Sequence, residues 1–320
     1  MYWRLLFEPI FSSCDIRVSS SEHLIRKRIV KNNKQGIAIF GLLFGAVCWG
    51  IIWYPYRVMQ EAGVSGVASS FYTYLIAVAM ASIIFFRRWP YAFKQPKLIL
   101  TLAIVAGWTN LSYVLAVING EVMRVMLLFY LSPLWTLILA HFWLKERADY
   151  KAVSVISISL TGAFIMLWKP GSWPLPNNHA EWLALSSGMG FALTNVITRK
   201  STNLSIPAKS MAVWLGVIFM SLVFMPFQPL PFPSPSFFTL LNWLVMLFIA
   251  LLLMIATWLV QYGITHVAVT RASVIFLFEL VVAAIASYYL ANEKMVLREW
   301  IGGGLIVVAA LFAARLEAAK

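Results

Sequence analysis

The residue that asks most of its surroundings is Glu279, an acid near the middle of an otherwise apolar run. Inside a bilayer an ionised side chain costs roughly 2.5–3.5 kcal/mol on insertion scales. An acid kept there either faces a cavity, where it pairs with a cationic ligand group or takes up a proton, or hydrogen-bonds to a neighbouring helix. Other polar residues within apolar runs come in pairs at helical spacing: Asn110 with Tyr113, Asn195 with Thr198, and Thr257 with Gln261. Each pair shares a helix face, so it either lines a cavity or ties helices together at about 0.6 kcal/mol per contact. Trp49, Trp53 and Tyr56 stand at i, i+4 and i+7, an aromatic face that suits packing or an interface belt. Trp49 is deeper, and with Phe129 and Phe276 it could stack on a ring or sit against a cation. Pro133 removes the usual partner of the Phe129 carbonyl, which makes 129–133 a hinge or a packed kink. Arg124 and Arg271 lie near opposite faces of the membrane, suited to gate ion pairs or to snorkelling. The candidate ligand contacts are thus Trp49, Trp53, Asn110, Tyr113, Phe129, Asn195, Gln261, Phe276 and Glu279, with Pro133, Arg124 and Arg271 as hinge or gate residues.

The elements that must position these residues are membrane-spanning helices. The chain has 320 residues, 61% hydrophobic and 12% charged. Its apolar runs are roughly 18–25 residues long, enough to cross about 30 Å of hydrocarbon as a helix. Ten runs are read, at roughly 36–56, 66–86, 98–118, 122–144, 150–168, 180–198, 209–227, 238–262, 270–291 and 298–316. Barrel strands would alternate instead. An all-α integral membrane protein with ten transmembrane helices is therefore expected.

The stretch Tyr130–Glu146, YLSPLWTLILAHFWLKE, returns in altered form as Leu277–Glu293, LFELVVAAIASYYLANE, 147 positions later and without a gap. Arg124 then matches Arg271, Phe129 matches Phe276, and Glu146 matches Glu293. A weaker register of 142 pairs Trp49 with Phe191 and Arg57 with Arg199. Five spans separate equivalent points, so the copies cross the membrane in opposite directions as two inverted five-helix repeats. The expected organisation is a basic cytoplasmic tail over 1–35, a first unit over 36–168, a linker over 169–179, a second unit over 180–316 and a cytoplasmic C-terminus over 317–320.

With the tail inside, all but five of the 25 lysines and arginines fall on the cytoplasmic side, the exceptions being Arg57, Arg124, Lys169, Lys294 and Arg298. That asymmetry places both termini in the cytoplasm. Glu146 and Glu293 each precede the next span, where a carboxylate can cap the helix that follows. The loop 226–238 carries five prolines and reads as a stiff, extended connector. Gly41, Gly45 and Gly302 to Gly304 are small residues that let helices approach closely, and a monomer or a homodimer through helix ten both fit.

The net charge of +13 follows membrane orientation and does not point to nucleic acid. There is no phosphate-binding glycine loop, and His23, His141, His179 and His266 lack metal-ligand spacing. Neither cofactor, metal nor enzyme chemistry is expected, and the reading is of a carrier for a small molecule. The competing class, a polytopic membrane enzyme or scaffold, would cluster acids and histidines at one membrane face.

Trp49-Gly50, the Leu131-Ser132-Pro133-Leu134 and Leu144-Lys145-Glu146-Arg147 of the first copy, and the Phe278-Glu279-Leu280 and Asn292-Glu293-Lys294 of the second carry a resemblance. They resemble the EamA-type ten-helix branch of the drug/metabolite transporter superfamily, over 36–316. Where such proteins often have Glu-Pro, this chain has Glu279-Leu280, which leaves helix nine without the proline a hinge would rest on. The resemblance implies a secondary transporter or facilitator in a cell membrane, in bacteria the inner membrane, with a central cavity between the halves and access alternating from side to side. It implies export of amino acids or related compounds, with aromatic amino-acid exporters of the YddG type as the nearest structural guide. Sugar or drug transport by the same superfamily is the alternative, and Glu279 is where proton coupling would act.

Overall fold

The computed structural model describes residues 20–85, 95–144, 150–168, 176–228, 239–267, 272, 275–276 and 278–318. Among these residues there is no strand. The helices are α1 (Ser20–Glu61), α2 (Gly66–Phe85), α3 (Pro96–Asn119), α4 (Val122–Phe129), α5 (Ser132–Leu144), α6 (Tyr150–Leu167), α7 (His179–Lys200), α8 (Ile206–Phe224), α9 (Leu240–His266), α10 (Phe278–Leu290) and α11 (Leu297–Ala318). The expected runs coincide with helices or, for α4 and α5, with a broken pair; of the run 270–291 the helix α10 covers the later part, and 270–271, 273–274 and 277 lie outside the described residues.

Among the described residues six segments are long and apolar enough to cross a membrane: Lys34–Glu61, Gly66–Ile84, Pro96–Asn119, Val122–Trp143, Ile206–Phe227 and Leu240–His266. Shorter apolar helices lie at Val153–Gly162 and Phe278–Leu290. α7 is absent from that set for a physical reason: Ser186, Ser187, Thr194, Asn195 and Thr198 dilute its apolar character, and four of these five are buried. Lipid-facing stripes are plain elsewhere. Ile37, Phe40, Leu43, Val47, Ile51, Tyr54 and Val58 follow one face of α1 and are exposed, whereas Ala38, Leu42, Ala46, Trp53 and Tyr56 on its other face are buried. Such a continuous exposed apolar stripe is what a bilayer covers.

The helix partners are reciprocal between the halves. α1 packs along α9 and α10, and α7 packs in return along α3, α4 and α5. α2 meets α8, and α6 meets α11. Swapping each helix for its equivalent in the other half reproduces this pattern, as a pseudo-twofold relation between inverted units requires. Backbones touch where α3 crosses α8: a Cβ on Gly107 would meet the Gly216 carbonyl, and one on Gly216 would meet the Ala103 carbonyl. Gly41 lies likewise against the Leu259 carbonyl of α9, whereas Gly304 has open space beside it and needs no close neighbour.

The basic stretch from Ser20 onward runs without a break into α1. The proline-rich loop opens on a 3-10 turn, Met225–Phe227, and its residues 229–238, where the extended connector is expected, lie outside the described residues. One expectation changes. The span that contains Glu279 is broken despite Leu280. Phe276 sits in a turn, α10 starts at Phe278, and the Glu279 N–H donates to the Phe276 carbonyl at 2.9 Å. The equivalent break in the first half lies between Phe129 and Ser132, with Pro133 in the first turn of α5. A proline accompanies one break only, so the break belongs to the repeat and not to the proline.

Candidate functional site

The two breaks and the polar face of α7 meet around a central cavity. Its wall is formed by Trp49 of α1, Ala106, Thr109, Asn110 and Tyr113 of α3, Phe129 at the end of α4, Phe191, Thr194 and Asn195 of α7, Val213 of α8, Thr257, Val260, Gln261 and Ile264 of α9, and Glu279 of α10. Both halves contribute. The cavity volume is about 60 Å³, room for a few waters, so a larger solute must part the helices to enter.

Glu279 is 3% exposed. Its Oε2 lies 2.6 Å from the Tyr130 hydroxyl oxygen, which is also 2.6 Å from the Phe276 carbonyl. One hydroxyl proton cannot serve both neighbours. Both contacts are hydrogen bonds only when the carboxyl itself carries a proton, donating to Tyr130 while Tyr130 donates to the Phe276 carbonyl. The broken helix matters here, because its turn leaves that carbonyl reachable from α4.

An aromatic chain crosses the cavity wall from one half to the other. Trp49 meets Phe276 edge-on at 6.1 Å, Phe276 meets Phe191 at 5.2 Å, Phe191 meets Phe129 at 5.2 Å, and Phe129 meets Tyr113 at 5.2 Å. Under the repeat Trp49 corresponds to Phe191 and Phe276 to Phe129, so the Trp49–Phe276 and Phe191–Phe129 contacts are equivalents. Close packing lets Phe129 in: a Cβ on Gly188 of α7 would collide with its carbonyl.

The polar groups divide sharply. On the first half's wall, Asn110 accepts from the Tyr74 hydroxyl at 2.9 Å and donates to the Ala106 carbonyl at 2.9 Å. Thr109 donates back to the Val105 carbonyl, and Tyr113 donates to the Met126 sulfur at 2.9 Å. On the second half's wall, both amide atoms of Asn195, the hydroxyls of Thr194 and Thr257, and the Gln261 carbonyl oxygen are buried with no hydrogen-bond partner in the protein. Buried polar atoms in folded proteins are nearly always paired, so these atoms are the wall's unmet hydrogen-bonding capacity.

Seven sequence candidates therefore line the cavity: Trp49, Asn110, Tyr113, Phe129, Asn195, Gln261 and Glu279. Two do not. Phe276 is fully buried behind Trp49 and Phe191, and Trp53 is turned away beneath Arg57, whose guanidinium lies 5.2 Å above its ring. Pro133 is positioned by the start of α5, and Arg271 lies outside the described residues, as does Glu146. Tyr130, Phe191, Thr194 and Thr109 were not among the candidates. Phe191 was signalled by its match to Trp49, whereas Tyr130 corresponds to Leu277 and the repeat gives no hint of it.

Arg124 does not snorkel. It is 5% exposed and its Nε lies 2.5 Å from Glu181 of α7, whose carboxylate also accepts from the Asn177 N–H at 2.8 Å. Beside it, Arg57 donates to the Val117 carbonyl at 3.0 Å and the Gly120 carbonyl at 2.7 Å, closing the end of α3, and pairs with Glu293 at 3.3 Å. Glu293 accepts from the Val122 and Met123 N–H groups at 3.1 and 3.3 Å. The expected cap thus exists, but on α4 of the other half and not on the helix that follows it. At the opposite end of the bundle Arg199, the counterpart of Arg57, donates to the Thr265 carbonyl of α9, and Lys209 donates to the Thr198 carbonyl and the Thr265 hydroxyl, each at 3.0 Å.

Comparison with known proteins gives the family. The EamA-like transporter family matches twice, at residues 36–168 and 179–315. An uncharacterised transporter of Archaeoglobus fulgidus is 24% identical over 228 residues, 69% of this chain and 78% of its own length. The protein RarD of Escherichia coli K12 is 23% identical over 178 residues, 53% of this chain and 56% of its own. A solved crystal structure superposes with a TM-score of 0.65 at 17% identity, covering 88% of this chain and 99% of that one, and so shares the fold. With two family matches that span most of the chain, a cavity between the halves and apolar stripes turned to lipid, this chain belongs to the EamA-like transporter family.

Proposed function

We propose that the protein is a secondary transporter, without enzyme activity, that exports amino acids or related amphipathic metabolites by alternating access and exchanges a proton at Glu279. In this reading the halves 36–168 and 180–316 rock about the cavity, the Arg57 end faces outward, and both termini are cytoplasmic in a bacterial inner membrane. One chain contains the whole pathway and is the working unit, whether or not it pairs with a second copy.

The observation that carries this reading is the pairing of an unpartnered Asn195 amide with an acid across an aromatic-lined cavity. A solute with an apolar body, an ammonium and a hydrogen-bonding head satisfies all three. A sugar would need polar groups on every side, and Phe129, Phe191, Val213, Val260 and Ile264 offer none from their side chains. The three-oxygen arrangement at Tyr130 supports a protonated Glu279 in this conformation. Release of that proton leaves one contact unmade and frees the carboxylate for a cationic group.

In proteoliposomes free of ATP, an amino-acid panel should show flux that changes with pH. Glu279→Gln keeps the hydrogen bond to Tyr130 but cannot ionise. Its flux should fall about 100-fold or more, the lower end of what a general acid–base group contributes, and lose its pH dependence. Absence of flux for the whole panel overturns the transport reading, and a pH profile unchanged in Glu279→Gln overturns the proton step.

A further inference from the structure

Beyond the central cavity, towards the Arg199 end, three helices of the second half close on one buried cation. Thr194 of α7, Val213 of α8 and Gln261 of α9 line the cavity. One turn nearer that end, on the same three helix faces, stand Thr198, Lys209 and Thr265. Lys209 is fully buried, and its Nζ donates to the Thr198 carbonyl and the Thr265 hydroxyl, each at 3.0 Å. That hydroxyl can accept because its own proton goes to the Gln261 carbonyl at 2.7 Å. The three residues therefore form a floor to the cavity. An ammonium this deeply buried ordinarily has a carboxylate beside it. Lys209 has two uncharged acceptors, and the charge that shares Thr265 with it is another cation, Arg199, on the backbone carbonyl. The two salt bridges between described residues, Arg57 with Glu293 and Arg124 with Glu181, lie at the opposite end and join one half to the other.

We propose that Lys209 is the gating residue at the Arg199 end: closing the floor strips its ammonium of water, and opening the floor returns it to water. The hydrogen bonds to Thr198 and Thr265 hold the floor shut in this conformation. They offset only part of the cost of burying a charge that has no acid beside it among the described residues. The Arg57 end is latched by opposite charges across the halves, so the floor is the end that gives way first. The proposal rests on the alternating-access reading and adds to it a direction of opening and the residue that sets it.

The test is thiol labelling of Ala106→Cys, on the first half's wall of the cavity, in a full chain that also carries Cys14→Ala and Cys48→Ala. A charged, membrane-impermeant methanethiosulfonate is applied to right-side-out and to inside-out vesicles. One face should label faster, the one that the Arg199 end meets. Adding Lys209→Met, which keeps the length of the side chain and drops its charge, should slow labelling from that face about tenfold or more. The unfolding temperature of the purified chain should stay equal or rise. A lysine that merely tied the helices together would give the reverse on removal, with faster labelling and a lower unfolding temperature. Either of those results overturns the proposal, as do an unchanged rate in Lys209→Met and equal or absent labelling from the two faces of the chain that keeps Lys209. Labelling needs no solute, so absence of flux in wild-type proteoliposomes removes the transport reading while the variant still decides the floor.

Discussion

The two walls of the central cavity descend from one repeat yet are finished differently. Asn110 and Thr257 occupy equivalent positions 147 residues apart on α3 and α9. Asn110 spends its amide on Tyr74 and the Ala106 carbonyl, whereas the Thr257 hydroxyl has no protein partner. The same holds along each wall: Thr109 and Tyr113 are engaged, while Thr194, Asn195 and Gln261 keep free atoms. The two similar surfaces thus differ in their hydrogen bonding: the first is closed on itself, and the second keeps polar atoms unpaired. Position in a cavity is therefore a weaker guide to ligand contact than the state of a residue's hydrogen bonds.

Substitutions at matched positions can break this contrast. The largest effect on transport is expected from Asn195→Leu. It removes both free amide atoms and should lower transport about 10- to 100-fold, measured as flux in proteoliposomes, while thermal stability stays equal or rises because an unpaired buried amide is gone. Asn110→Leu should do the reverse. It strands the Tyr74 hydroxyl and should cost about 1–3 kcal/mol of stability in thermal or denaturant unfolding, with a smaller loss of flux. Adding Tyr74→Phe should then recover part of that stability, since removing both partners is nearly neutral. The smallest effect belongs to Thr257→Val, which keeps the shape and loses only the hydroxyl; roughly threefold weaker flux is expected from one contact of about 0.6 kcal/mol. If Asn110→Leu proves the worst for transport and Asn195→Leu the worst for stability, the division of labour is the opposite of the one drawn here.

Much of the fold was legible because a bilayer asks for continuous apolar runs and the repeat kept its register. The cavity faces of α3 and α9 were legible from spacing alone, since Asn110 with Tyr113 and Thr257 with Gln261 fix one side of each helix. Trp53 misled for a local reason. A residue four positions on advances about 40° around the helix and 6 Å along it, enough to move from the cavity to the Arg57 end. Phe276 misled because its helix is broken, so its ring supports the wall from behind. Glu293 shows what spacing cannot supply. Its donors looked local, but the N–H groups it caps are 171 and 170 residues away in sequence. Arg124 and Glu181 likewise meet across the halves, and no window along the chain contains both.

The reciprocal packing of the halves has a consequence for how the protein is made. α1 finds its main partners in α9 and α10, and α3 in α7 and α8, so the first five spans leave the ribosome with their principal contacts still untranslated. Until then Glu181 has yet to reach Arg124, and the N–H groups of Val122 and Met123 await Glu293. The newborn first half is thus an orphan that lipid and insertion chaperones must shelter. Expressed alone it should be cleared by quality-control proteases, and expressed as two separate pieces divided within 169–178 the halves should rescue one another.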